Sequence, residues 1–92
     1  MIRQWRHQSL KQFYETGSKA GIQPKHADVL SLLLFQLANA IQPEDMNTLG
    51  NDFHKLKGNL AGFYAVTINK NWRLIFKFEG QDAIEVDYID YH

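Results

Sequence analysis

Residues 71–79 read NWRLIFKFE, and this stretch decides the fold. Trp72, Leu74, Phe76 and Phe78 alternate with Arg73, Ile75 and Lys77. Period two marks a strand with one face in a core. The first set points inward. The second set shares the other face, so two cations flank an isoleucine there. That mixed face is the expected seat of function. A strand-like run precedes the stretch and another follows it, so it is expected to be the middle strand of an antiparallel meander.

The preceding run, residues 63–68, places Tyr64, Val66 and Ile68 on one side. Asn69-Lys70-Asn71 supplies a tight reversal. Gly80-Gln81-Asp82 turns the chain again. The last strand is expected over residues 83–91, with Ile84, Val86 and Tyr88 on one side. A short extended segment is expected at residues 53–57, closed by Gly58-Asn59.

Two helices come first. Ser9-Leu10-Lys11-Gln12 has the form of a capping box. Leu10, Phe13 and Tyr14 follow at helical spacing, and Gly17 suits a helix end, so a helix is expected near residues 9–16. Pro24 fits the first turn of a second helix. Leu30, Leu33, Leu34, Leu37 and Ile41 form its stripe, widened by Val29, Leu32 and Phe35, and Pro43 ends it. Such a broad stripe means either deep packing or partial cover by a partner. Residues 1–6, with Ile2 and Trp5, read as an edge strand. The order predicts an α+β fold, with two N-terminal helices packed on one face of a small antiparallel sheet, in a single domain over residues 1–92.

With 92 residues and 45% hydrophobic content, the chain can fill one core. No apolar run approaches the ~20 residues of a membrane span. No signal peptide is read at the start. Cysteine is absent, which excludes disulfides and thiolate sites and fits a reducing cytoplasm. The four histidines, His7, His26, His54 and His92, lack metal-pair spacing, so no metal or other cofactor is expected.

The net charge of zero hides a division. Lys55, Lys57, Lys70, Arg73 and Lys77 lie between Phe53 and Phe78 with no acid among them. Glu79, Asp82, Glu85, Asp87 and Asp90 follow with no base. Arg3 and Arg6 add charge near the start. Segregation like this either makes a cationic patch for a polyanion or sets up ordinary cross-strand ion pairs, such as Arg73 with Glu85 or Asp87. Composition alone favours the second.

Histidine moves protons near neutral pH, and arginine and lysine stabilise charge at phosphorus. His54, Lys57 and Arg73, with the closing Asp90-Tyr91-His92, therefore form a kit for RNA cleavage by the neighbouring 2′-hydroxyl. Each residue also has a structural reading: a surface histidine, a packing tyrosine, a frayed terminus.

The run FHKLKGNLAGFYAVTINKNWRLIFKF followed by IEVDYIDYH resembles the HigB toxins of the RelE/ParE superfamily, and MIRQWRHQSLKQFYETG is similar to their starts. The resemblance implies a toxin of a type II toxin–antitoxin module. Such a toxin is a ribosome-dependent endoribonuclease that cuts messenger RNA in the ribosomal A site and stops translation. It implies catalytic residues at His54, Lys57, Arg73, Asp90, Tyr91 and His92. Lys55, Lys70, Lys77, Arg3 and Arg6 are then the expected RNA- and ribosome-binding cations. The implied partners are a HigA-like helix-turn-helix antitoxin, the ribosome and mRNA, and operator DNA only through the antitoxin; no membrane is involved. Two alternatives remain from the residues: a non-enzymatic ParE-like toxin that binds DNA gyrase, and an RNA-binding or corepressor module.

Overall fold

The computed structural model describes residues 1–48 and 50–91. Helix α1 spans Gln8–Thr16 and α2 spans Ala27–Asn39. Strands β1 (His54–Lys55), β2 (Tyr64–Asn69), β3 (Trp72–Glu79) and β4 (Asp82–Asp90) follow in order. They form one antiparallel sheet in the order β1-β2-β3-β4, so the quoted stretch is an interior strand of a meander, as its pattern predicts.

The cap of α1 is His7, not the expected Ser9. His7 is extended (φ −107°, ψ 107°), and its Nδ1 accepts the Leu10 N–H at 3.0 Å. That satisfies one of the orphan donors of the first turn. Ser9 already lies inside the helix. Gly17 closes it as expected, with φ 79° and its N–H donating to the Phe13 carbonyl at 2.9 Å.

Pro24 opens a separate 3₁₀ turn, Pro24–His26, and α2 begins after it. Leu30, Leu33, Leu34 and Leu37 are its buried stripe. The stripe read from sequence is wider than the buried one. Leu32 is 66% and Phe35 69% exposed, with Val29 also exposed. Ile41 lies past the helix, which stops at Asn39, before Pro43; Ala40 is extended at ψ 144°.

Residues 1–6 extend the sheet beyond β4. Ile2 and Trp5 form parallel bridges with Ala83 and Val86, and the Arg3 and Arg6 amides donate to the carbonyls of those two residues.

The helices pack on one sheet face. Leu10, Phe13, Leu30, Leu34 and Leu37 meet Val66, Leu74, Phe76 and Val86 there. Full burial of a side chain such as Phe76 contributes roughly 1.5–3 kcal/mol. The other face has its own small core: Leu56, Phe63, Ala65 and Ile75, with Leu60 and Ile89 against it. The 56–63 loop supplies this cover. Ile75 is therefore buried between two cations of its own strand.

One inward residue of β4 departs from expectation. Ile75 pairs with Asp87, but Lys77 pairs with Ile84, so β4 carries one extra residue there. Glu85 takes a positive φ of 50°. This bulge turns Ala83, Val86 and Tyr88 to the helices and puts Ile84 on the opposite face, beside Lys77.

Candidate functional site

Cross-strand partners point to the same side of a sheet. His54, Ala65, Ile75 and Asp87 form one row by register, on the face away from the helices. The next row is Thr67, Arg73 and Ile89. His54 and Arg73 thus leave the same face from adjacent rows. Their strands, β1 and β3, are two apart, about 10 Å at the usual strand spacing.

Asp52 is left-handed (φ 50°), and its carbonyl lies 2.9 Å from His54 Nδ1. A carbonyl only accepts, so Nδ1 carries the hydrogen. In the neutral ring the lone pair is then on Nε2, the nitrogen that takes up a proton.

Arg73 Nη1 donates to the Lys70 carbonyl at 2.5 Å and the Trp72 carbonyl at 3.2 Å. Its Nε is buried without a partner. Among the described residues its guanidinium makes no ion pair. The acids that sequence offered it are taken: Glu85 lies 3.4 Å from Lys77 Nζ, and Asp87 lies 3.9 Å from Arg6 Nε while also accepting the Tyr88 N–H. The hairpin turn positions Arg73 through the Lys70 and Trp72 carbonyls.

Lys57 is exposed at the start of the Gly58–Leu60 turn. The pairing of 54 with 65, 55 with 64, and the Leu56 amide with the Phe63 carbonyl runs away from the Arg73 row. Register alone therefore does not bring Lys57 to Arg73.

Asp90 pairs with Trp72, so it belongs to the helix-facing side at the end of β4. The Tyr91 N–H donates to the Asn71 carbonyl at 2.7 Å, and its side chain is exposed. His92, expected to share the site, lies outside the described residues. Register thus brings His54 and Arg73 to one face, sets Asp90 on the opposite, helix-facing side at the sheet end with Tyr91 exposed just past it, and does not join Lys57 to Arg73.

The five further cations are dispersed. Lys55 faces the opposite side, over the Tyr64 ring. Lys70 is exposed on the hairpin turn. Lys77 Nζ sits 4.8 Å from the Phe63 ring centre and Arg6 5.3 Å from it, so the two flank a buried aromatic. Arg3 pairs with Glu79 and Asp82 at the far edge.

Sequence reasoning passed over His26. It is 1% exposed, and its Nδ1 lies 2.5 Å from the Tyr88 hydroxyl. Its ring packs at 5.4 Å from Trp72. Burial, with Lys25 nearby, pushes its pKa below the usual 6.5. Burial pushes the Tyr88 hydroxyl up, partly offset by a backbone hydrogen bond at Gln23. The only sequence signal was its place just before the α2 stripe.

Residues 3–92 match the family described as the RelE-like toxin of type II toxin–antitoxin system HigB. Among curated proteins, the chain is 32% identical to Endoribonuclease HigB of Proteus vulgaris over 92 residues, covering 100% of both chains. It is 30% identical, over 94 aligned positions, to Toxin HigB-1 of Vibrio cholerae serotype O1 (strain ATCC 39315 / El Tor Inaba N16961), covering 100% of this chain and 98% of that one.

Proposed function

The chain belongs to the HigB-like family of RelE-like toxins of type II toxin–antitoxin systems, and from that footing we propose that it is a ribosome-dependent endoribonuclease that cleaves mRNA in the A site. The name of its Proteus vulgaris relative supports the activity. The observation that carries the reading is that His54 shares a sheet face with Arg73, an arginine that makes no ion pair among the described residues.

His54 Nε2 takes the proton of the ribose 2′-hydroxyl. The oxygen attacks the adjacent phosphorus in line, and Arg73 stabilises the charge that grows on the phosphoryl oxygens. A second group protonates the departing 5′-oxygen; His92 fills that role, with Asp90 orienting it. Lys57 adds charge to the RNA path, and Tyr91 stacks on a splayed base. Metal is not required, since the nucleophile belongs to the substrate. The products are a 2′,3′-cyclic phosphate and a 5′-hydroxyl. So few groups need the RNA held in line for them, and the ribosome supplies that orientation.

The family implies a cognate antitoxin. A HigA-like helix-turn-helix protein fits that place, and operator DNA is reached through it. No helix among the described residues is long and apolar enough to cross a membrane; the cytoplasm, where translation occurs, is the site of action.

The test is an in vitro translation reaction with mapping of mRNA ends. Wild-type protein cuts within codons only when ribosomes are present, and Arg73→Ala lowers cutting about a hundredfold or more. Cutting of free mRNA at the same sites, or an Arg73→Ala protein as active as wild type, overturns the reading.

A further inference from the structure

A cleft of about 630 Å³ opens where β3 begins and β4 ends, between the start of α1 and the connector to α2. Ile22, Pro24, Trp72 and Tyr88 give it apolar walls; His7, Gln23 and Asp90 are its polar groups. We infer that this cleft is a nucleobase subsite, which takes one unstacked base of the RNA whose phosphate Arg73 holds. The inference rests on the endoribonuclease reading and adds to it where a base is bound.

Three observations carry it. The first is charge. Among the described residues no lysine or arginine lines the cleft, and phosphate recognition calls for such cations. A planar, uncharged heterocycle fits the lining; a phosphate does not. Its size lies in the range of small-molecule sites, which combine apolar walls with a few polar groups.

The second is rigidity. The Trp72 ring lies 4.8 Å from Tyr88 and 5.4 Å from His26, and the Tyr88 hydroxyl is held by His26 Nδ1. Gly21 approaches Ser9 so closely that a Cβ there would stand 2.5 Å from its Oγ, which fixes the connector against α1. His7 is fixed too. Its Nδ1 is occupied by the Leu10 N–H, so the neutral ring presents Nε2–H as a donor. Gln23, exposed, offers both donor and acceptor. A stacking wall with preset hydrogen-bonding groups is how unpaired bases are bound.

The third is the strand itself. Trp72 and Arg73 are consecutive, so their side chains leave opposite faces of β3. An RNA strand that crosses the sheet end meets the indole on one side and the guanidinium on the other. The alternation that built the core thus separates base from phosphate.

The experiment uses the two indole N–H signals of the ¹⁵N-labelled full chain, Trp5 and Trp72. Trp5 packs against Tyr14 and serves as control. Adenosine, guanosine, cytidine and uridine monophosphates are titrated separately, with ribose 5-phosphate as the baseless probe. At least one nucleotide shifts the Trp72 signal while Trp5 stays still, and ribose 5-phosphate moves neither. Gln23→Ala weakens that nucleotide about three- to tenfold, the loss of one hydrogen bond. A silent Trp72, equal movement of both indoles, or an equal response to ribose 5-phosphate overturns the inference. Cleavage by the wild type is scored separately. A nuclease with a silent Trp72 refutes only the subsite; a responsive Trp72 on a protein that cuts no RNA refutes only the enzyme reading and leaves the nucleotide site.

Discussion

His26 and Tyr88, 62 residues apart in sequence, are joined by a buried hydrogen bond between imidazole Nδ1 and phenol hydroxyl. The bond ties the start of α2 to the end of β4, behind the face where Arg73 emerges. Both groups prefer to stay neutral there, because burial opposes the charged form of each.

Stability therefore depends on pH from both sides. The folded His26 value lies below 6.5. Between the two values the unfolded chain holds a proton that the native chain lacks, so stability falls as pH drops below 6.5. The folded Tyr88 value lies above 10.0, so stability falls again as pH rises past 10.0. Denaturant titrations across pH measure this, and His26→Gln flattens the acid limb. An acid limb unchanged in that variant contradicts the assignment to His26.

Gly17 and Gly21 make a controlled pair. Both have φ +79°, but a Cβ at Gly17 meets nothing within 4 Å, whereas one at Gly21 meets Ser9. Gly17→Ala costs about 1 kcal/mol for the backbone alone. Gly21→Ala costs clearly more. Equal midpoint shifts in urea would remove the steric part of this argument.

Phe63 closes the second core beneath Arg6 and Lys77. Phe63→Ala costs about 3–5 kcal/mol and leaves a cavity next to Ile75. Calorimetry reads the loss. A change below 1 kcal/mol would mean that the 56–63 loop is not held by this residue.

Charge predicts which cations steer the protein to ribosomal RNA. Lys70 is exposed and makes no ion pair among the described residues, while Arg3 is matched by Glu79 and Asp82. Ribosome binding weakens as salt rises. Lys70→Ala lowers the slope of log affinity against log salt by about 1, and Arg3→Ala leaves it near the wild-type value. The reverse order would contradict this picture.

The sequence made the meander legible because Trp72 to Phe78 alternates without a break and turn residues stand at both ends. It did not make the bulge legible: Glu85 is one charged residue in an alternating run, and only the partner strand reveals the extra position. The α2 stripe misled at its margins, since Val29, Leu32 and Phe35 satisfy helical spacing while facing outward. His7 was missed as a cap because serine and threonine head the usual signals, and an imidazole does the same work from an extended backbone. For the candidate site, the shared face of His54 and Arg73 follows from the register of three strands. That Arg73 makes no ion pair among the described residues was not readable; it follows from Lys77 and Arg6 engaging Glu85 and Asp87.

The most direct measurement bears on the nucleophile. An mRNA is prepared with a single 2′-deoxy nucleotide at a mapped cleavage position and presented on translating ribosomes. The account predicts that the ribose form yields a 2′,3′-cyclic phosphate and a 5′-hydroxyl, that His54→Ala suppresses both, and that the deoxy form is not cut at that position. Cleavage of the deoxy substrate there, or a 3′-hydroxyl paired with a 5′-phosphate, would contradict it.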